Sequence, residues 1–277
     1  MRSWPECRGS CEPNPAAVNT KLAREGCGSI DCAMQLGKRM DNRKRSLRIL
    51  GLLLLAVGIL LGVALAGAIA WADLEAEFYG FQTLTQNRLR GLACPPILTM
   101  AEAGTISAPV RNPVDQELQL IVRADFSARG PLRSERALVS LAAQETRRLT
   151  WTVTADDIDL HSFIFARVYT YPGYQSPMRQ ATCGILMLDL PLLGGTQVLA
   201  LTVTASLACM VAGLWLWRSN RPLTRYAETL TSALTFLAGI VLLAIATSWL
   251  GWWLPGLVLV LLTILTVSVI LVVVASQ

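Results

Sequence analysis

Residues 49–72 read ILGLLLLAVGILLGVALAGAIAWA, 24 positions without one charged side chain. An α-helix rises about 1.5 Å per residue, so about 20 apolar residues suffice to cross the hydrocarbon of a bilayer. Outward from this run the same signal recurs twice, over Leu190–Trp217 (28 residues) and Thr229–Gln277 (49 residues). The last run is long enough for two crossings. Gly251-Trp252-Trp253-Leu254-Pro255-Gly256 breaks it in the middle with turn formers and interface-seeking aromatic residues. The sequence therefore predicts four transmembrane α-helices over 49–72, 194–217, 229–250 and 254–275. Composition agrees: 53% of the 277 residues are hydrophobic and 16% charged, against roughly a quarter charged in soluble domains.

Charge orients these spans. Residues 1–48 hold ten basic and five acidic side chains, and six of the ten basic ones fall within the last eleven positions before the first span. Arg218, Arg221 and Arg225 face Glu228 alone in the loop 218–228, whereas Asp73–Asp189 holds eleven arginines and thirteen acids. Positive loops stay inside. The expected placement is thus a plasma (inner) membrane, both termini cytoplasmic, with residues 73–193 outside. The pI near 9.0 is a topology signal, and nucleic acid is excluded as the expected partner. Trp71, Trp249, Trp252 and Trp253 fall at the predicted outer ends and Trp215 and Trp217 at the inner end of the second span, where aromatic belts form.

Arg43-Lys44-Arg45 followed by a run ending Ala70-Trp71-Ala72 also has the layout of a secretory leader. Its 24-residue apolar core exceeds the roughly 7–15 of a cleaved signal, so it is read as a span. Residues 1–48 form a basic tail expected to be disordered, because its first 39 positions lack apolar periodicity and scatter Gly, Pro and Asn. Met40-Asp41-Asn42-Arg43-Lys44-Arg45 resembles an ordinary start for a membrane anchor, which makes Met40 or Met34 an alternative first residue.

Of seven cysteines, Cys7, Cys11, Cys27 and Cys32 are in the tail, Cys209 is in the second span, and only Cys94 and Cys183 are outside. The tail spacings are looser than those of zinc knuckles and no histidine accompanies them, so those thiols read as reduced and free. The outside pair predicts a disulfide closing a loop of about 90 residues, which the chain-entropy model values at about 4 kcal/mol.

Residues 94–189 alternate with period two. Leu118, Leu120, Val122, Ala124 and Phe126 share one strand face whose other face carries Gln119, Arg123 and Asp125. Strands are expected at 96–100, 105–110, 118–126, 133–141, 147–154, 162–171 and 180–188, with turn chemistry at Asn112-Pro113 and Gly130-Pro131. Seven short strands without helical periodicity predict an all-β antiparallel sandwich, loosely immunoglobulin-like, inserted between the first two helices. In the connector 73–93, Leu74, Phe78, Phe81, Leu84, Leu89 and Leu92 form a rough helical stripe. It either extends the first helix outward or lies on the membrane surface.

Few residues offer chemistry. Asp157, Asp159 and His161, the only histidine, would face the same way in an extended chain and are a candidate divalent-cation site. A solvated turn is the favoured alternative, since the run lacks the glycine and terminal glutamate of a calcium loop. No Gly-x-Ser-x-Gly, phosphate loop or dinucleotide fingerprint occurs, so neither catalysis nor a cofactor is expected. Arg129, Arg133, Arg136, Arg147 and Arg148 suggest a basic face, which the interspersed Glu135 and Glu145 turn into an ordinary solvated surface. Phe163, Phe165, Tyr169 and Tyr171 alternate on one strand face with Arg167 among them, and core packing is the expectation, with part of that face open.

The predicted spans contain no ionisable group, which disfavours coupled transport. Gly58, Gly62, Ala66 and Ala70, with Thr231, Thr235 and Gly239, place small residues every four positions and allow close helix contact, within the bundle or with another protein. The function expected is that of a non-catalytic membrane subunit whose sandwich binds a partner or ligand outside while its helices contact lipid and a membrane-protein partner. One span, a large outside domain and three further spans is a topology similar to FtsX- and MacB-type permeases of ABC transporters, which would imply mechanotransmission. Their coupling segment after the second span is absent from Arg218-Ser219-Asn220-Arg221-Pro222-Leu223-Thr224-Arg225.

Overall fold

The computed structural model describes residues 21–79, 81, 85, 87–160, 162–171, 177–221 and 225–275. Four helices, α1 (Lys21–Phe78), α2 (Gly195–Asn220), α3 (Arg225–Trp249) and α4 (Trp253–Ala275), enclose seven strands in chain order. The strands are β1 (Ile97–Thr99), β2 (Gly104–Arg111), β3 (Leu118–Phe126), β4 (Arg133–Leu141), β5 (Thr146–Val153), β6 (Phe163–Thr170) and β7 (Arg179–Leu188). All four helices are long and apolar enough to cross a bilayer by length and composition.

The strands form a five-stranded sheet ordered β1-β7-β6-β3-β4 and a two-stranded sheet β2-β5. Every expected strand is present within about two residues. The sandwich is mixed rather than antiparallel, because β1 runs parallel to β7 with Ile97 opposite Leu186. A parallel pair needs a long crossover, and here the whole domain between β1 and β7 supplies it. The core between the sheets takes Ile106, Val122, Phe126, Val153, Ile164, Val168 and Ile185 among others, each essentially inaccessible.

Two expectations are corrected. The helix begins at Lys21, so residues 21–48 are helical and only 1–20 lie outside the described residues. Lys, Leu, Ala, Arg, Glu and Met favour a helix continuous with the apolar run that follows. The stripe in the connector is not one helix either. The helix ends at Phe78, which is exposed; Leu84 lies outside the described residues, and Leu89 and Leu92 pack into or against the sandwich core. Backbone pairing explains this: Arg88 bridges Gln180 and Ala93 bridges Ser107, so the chain from Asn87 onward is held to the sheets by isolated bridges and a turn rather than being helical.

The helix bundle closes on the small residues. A Cβ at Gly58 would lie 2.8 Å from the Ser206 carbonyl oxygen, and one at Gly213 would lie 2.7 Å from the Gly51 carbonyl oxygen. Only glycine lets α1 and α2 approach so closely. Across the same contact Ser206 Oγ donates to the Gly58 carbonyl at 2.7 Å, and Ser248 of α3 donates to the Ala66 carbonyl at 3.2 Å. Trp217 Nε1 donates to Thr231 Oγ1 at 3.0 Å, tying α2 to α3.

Candidate functional site

The sandwich is joined to the helices at two places. The first is the end of α1, which continues past the apolar run and lies against β7. Gly184 allows this, since a Cβ there would collide with the backbone carbonyl of Ala72. Asp73 and Glu77, four residues apart on one helix face, meet Gly184 and Thr182, two apart on one strand face. The Gly184 N–H donates to Asp73 Oδ1 at 3.1 Å and Thr182 Oγ1 donates to Glu77 Oε2 at 2.6 Å. The second junction is Glu102, whose Oε1 accepts from Thr99 N–H at 3.1 Å and from Gly195 N–H at 2.7 Å. It thereby satisfies an otherwise orphaned donor in the first turn of α2.

The aromatic row of β6 lies on the outer face of the five-stranded sheet, not in the core. Ile164, Ala166 and Val168 face the core instead. Phe165 and Tyr169 are nonetheless buried, at 0% and 3% exposure: the chain leaving α1 folds over Phe165, and the guanidinium groups of Arg123 and Arg167 lie over the Tyr169 ring. The Tyr79 ring lies 4.6 Å from that of Phe165, and the Arg167 guanidinium sits 4.8 Å from the Phe81 ring centre. Beneath it Asp125 accepts from Arg167 Nη2 at 2.6 Å, Arg123 Nε at 2.7 Å and Ser134 Oγ at 2.6 Å. Burial pushes this carboxyl up, but the three hydrogen bonds together outweigh burial and hold it below the usual carboxylate value. Farther along the face, Ile121 and Leu138 pair directly across β3 and β4 and are 44% and 69% exposed, so part of the face is open.

Cys94 and Cys183 form a disulfide with Cα atoms 6.6 Å apart, holding the segment ahead of β1 to the core side of β7. Asp157 and Asp159 point to different partners. Asp157 takes Arg133 Nε at 2.7 Å and Nη2 at 3.0 Å and accepts from the Thr154 N–H. Asp159 accepts from the Tyr79 hydroxyl and from the Leu160 N–H. The hydroxyl of Tyr79 is pushed up to about 12, first by burial and then by this carboxylate. His161 lies outside the described residues, and among the described ones no three His, Cys, Asp or Glu gather as metal ligands. Gly58, Gly62, Ala66 and Ala70 all face into the bundle: Ala66 and Ala70 are at 0% and 1% exposure, and a Cβ at Gly62 would touch Ser206 Oγ at 3.0 Å. Of the supposed basic face, Arg133 and Arg147 are in ion pairs with Asp157 and Glu145.

One cavity was not anticipated. It is a cleft of about 660 Å³ at the end of β7 opposite the start of α2, bordered by Arg88, Arg90, Arg111 and Arg179 together with Asn87 and Thr146. Arg88 and Arg90 flank Leu89, whose side chain is buried in the core. Both arginines are exposed beside that anchor. The alternation Arg88-Leu89-Arg90 is the signal available in the sequence. The other two arginines come from β2 and β7, and only the fold brings them near.

No family model matches the chain, and no curated protein matches it. Solved structures resemble about a third of the chain. The CARDB domain of a Pyrococcus furiosus protein is 15% identical, covering 36% of this chain and 90% of that one, with a TM-score of 0.30. A Bacteroides uniformis β-glucuronidase is 15% identical over 34% of this chain and 12% of its own, with a TM-score of 0.27. A Listeria innocua β-glucosidase is 12% identical over 35% of this chain and 16% of its own, with a TM-score of 0.25.

Proposed function

We propose that this chain is a non-catalytic multi-pass protein of the plasma (inner) membrane, with cytoplasmic termini, that presents its β-sandwich outside for recognition of a partner or ligand. The observation that carries the reading is the double attachment of the sandwich. Asp73 and Glu77 of α1 bind β7, and Glu102 binds the first turn of α2, so the module is held in one pose relative to the helices. A freely tethered binding domain needs no such contacts. The apolar outward faces of the bundle, with Leu60, Val211, Phe236 and Leu271 all more than 60% exposed, suit contact with lipid and with a membrane-protein partner.

The same attachment favours a second reading, mechanotransmission of the permease kind, because a shift of α1 against α2 would be passed directly to β7 and β1. A pull-down of the full chain from native membranes in mild detergent separates the two. Recovery of a non-ATPase membrane partner supports the first, and an ATPase the second. A monomer without partners counts against both. Labelling of single cysteines placed at Arg129 and Arg221 from either side of intact cells checks the orientation, with Arg129 expected outside and Arg221 inside.

A further inference from the structure

We infer that the cleft at the far end of the sandwich binds a multiply charged oxyanion, carried on phosphate or carboxylate groups. The inference deepens the reading of the sandwich as an external recognition module and rests on it only for the compartment in which the ligand is met.

The argument starts from how the arginines are used. Residues 73–189 contain eleven. Four of them, Arg123, Arg133, Arg147 and Arg167, are in ion pairs with carboxylates. Four others, Arg88, Arg90, Arg111 and Arg179, border one cleft, and no Asp or Glu lines it. The positions of this segment outside the described residues are Gly80, Gln82, Thr83, Leu84, Gln86, His161 and 172–176, and none is an acid. The segment as a whole is net negative, with thirteen acids, so the positive cleft is not a by-product of general basicity. Like charges gathered without counter-charge repel one another, and a bound anion relieves that repulsion.

The backbone that carries them is also held in place. Leu89 N–H donates to the Gln180 carbonyl at 2.8 Å, and Gln180 N–H donates to the Asn87 carbonyl at 3.0 Å, which fixes the backbone between Arg88 and Arg90. Arg111 precedes Asn112, a fully buried side chain whose Nδ2 donates to the carbonyls of Gln116 and Ala142 at 2.7 and 2.8 Å. Arg111 itself donates to Gln144 Oε1 at 3.1 Å, a neutral acceptor that leaves its charge uncompensated. The Arg179 N–H donates to Thr170 Oγ1 at 3.2 Å. Planar guanidinium forks on a fixed backbone are suited to bidentate recognition of phosphate or carboxylate.

Position sets the distances. Arg179 opens β7, and Leu188 closes it beside β1. At about 3.3 Å per residue Arg179 stands roughly 30 Å along the strand from Leu188 and roughly 16 Å from Gly184, where Ala72 of α1 packs. The anion is a soluble ligand or part of a surface polymer.

The test is calorimetric titration of the full chain in detergent with tripolyphosphate in one arm and poly-L-glutamate in the other, at about 50 and 300 mM salt. Saturable binding in either arm, weaker at the higher salt, is expected, and the arm that binds identifies the anion class. Arg88→Ala/Arg179→Ala should weaken it by more than about tenfold, as loss of charged hydrogen bonds does. Arg129→Ala/Arg136→Ala, outside the cleft, should change it less than about twofold. Arg88→Lys/Arg179→Lys, which preserves charge, guards against a folding defect and should also weaken binding. Absence of saturable binding in both arms overturns the inference, as does equal weakening by the two alanine pairs. Either failure leaves the orientation and pull-down results standing, so it is distinct from failure of the membrane reading.

Discussion

The carboxylate of Asp73 accepts the backbone N–H of Gly184 at 3.1 Å, so the last turns of a long apolar helix are hydrogen-bonded to the face of a β-sheet 111 residues away in sequence. The contact exists because Gly184 has no side chain. The α1 backbone at Ala72 occupies the space where a Cβ would stand.

Gly184→Val should therefore lift α1 from β7. Overpacking against backbone costs about 1–3 kcal/mol, and the loss of the Asp73 bond adds to it. The thermal midpoint of the full chain in mild detergent is expected to fall by several degrees. Gly130→Ala, with open space around the added Cβ, should leave it unchanged. Equal midpoints for both variants would show that the helix does not rest on this strand.

Glu102 gives a second, separable prediction. Its Oε1 serves two backbone donors, Thr99 and Gly195, and Glu102→Ala removes the acceptor of both. The expected cost is about 1–2 kcal/mol. Amide exchange should accelerate at Thr99 and Gly195 while β3 and β6 keep their protection. Uniform acceleration across the sheet would mean that Glu102 supports the whole domain rather than its junction with α2.

Cys94→Ser/Cys183→Ser should destabilise the sandwich by about 4 kcal/mol, since it frees an 89-residue separation in the unfolded chain. Denaturant midpoints of the oxidised, reduced and double-serine forms check this. The last two forms are expected to coincide, and coincidence of all three would remove the disulfide from any stabilising role.

The strands were legible in the sequence because one face of each is buried and the period-two pattern shows it. Val122, Ala124 and Phe126 face the core as their alternation implies. The disulfide was legible because Cys94 and Cys183 are the only two of the seven cysteines in the segment between the first and second apolar runs. The β6 row misled for a physical reason. Phe165 and Tyr169 are as buried as core residues, but Phe165 is covered by the segment after α1, from Tyr79, and Tyr169 by arginine side chains of the same sheet. Two apolar faces on one strand leave no pattern that says which is inside. The parallel pairing of β1 was hidden likewise, since a three-residue strand carries no sign of direction. The cleft depends on Arg88, Arg111 and Arg179 converging from three separate segments, and no local spacing encodes that.

Asp125 carries the prediction for pH. Its folded value lies below the ordinary 3.8, because the hydrogen bonds from Arg167, Ser134 and Arg123 favour the charged form more than burial disfavours it. A depressed acid contributes stability that is fully present above the unfolded value and is lost as pH falls through the folded one. Tyr79 acts in the opposite sense: a phenol raised to about 12 contributes stability present below its ordinary value near 10 and lost as pH rises through 12. The contributions of these two groups should thus be lost below about pH 4 and above about pH 10 respectively. Asp125→Asn leaves the Arg167 charge, 8% exposed, without its carboxylate, which costs roughly 3–5 kcal/mol where a buried pair is broken. The variant should be less stable at neutral pH yet lose less on acidification, because the group that titrates is gone. Urea midpoints of the two forms between about pH 2 and 7 decide the matter: parallel curves would show that the acid sensitivity of the domain arises at some other carboxylate.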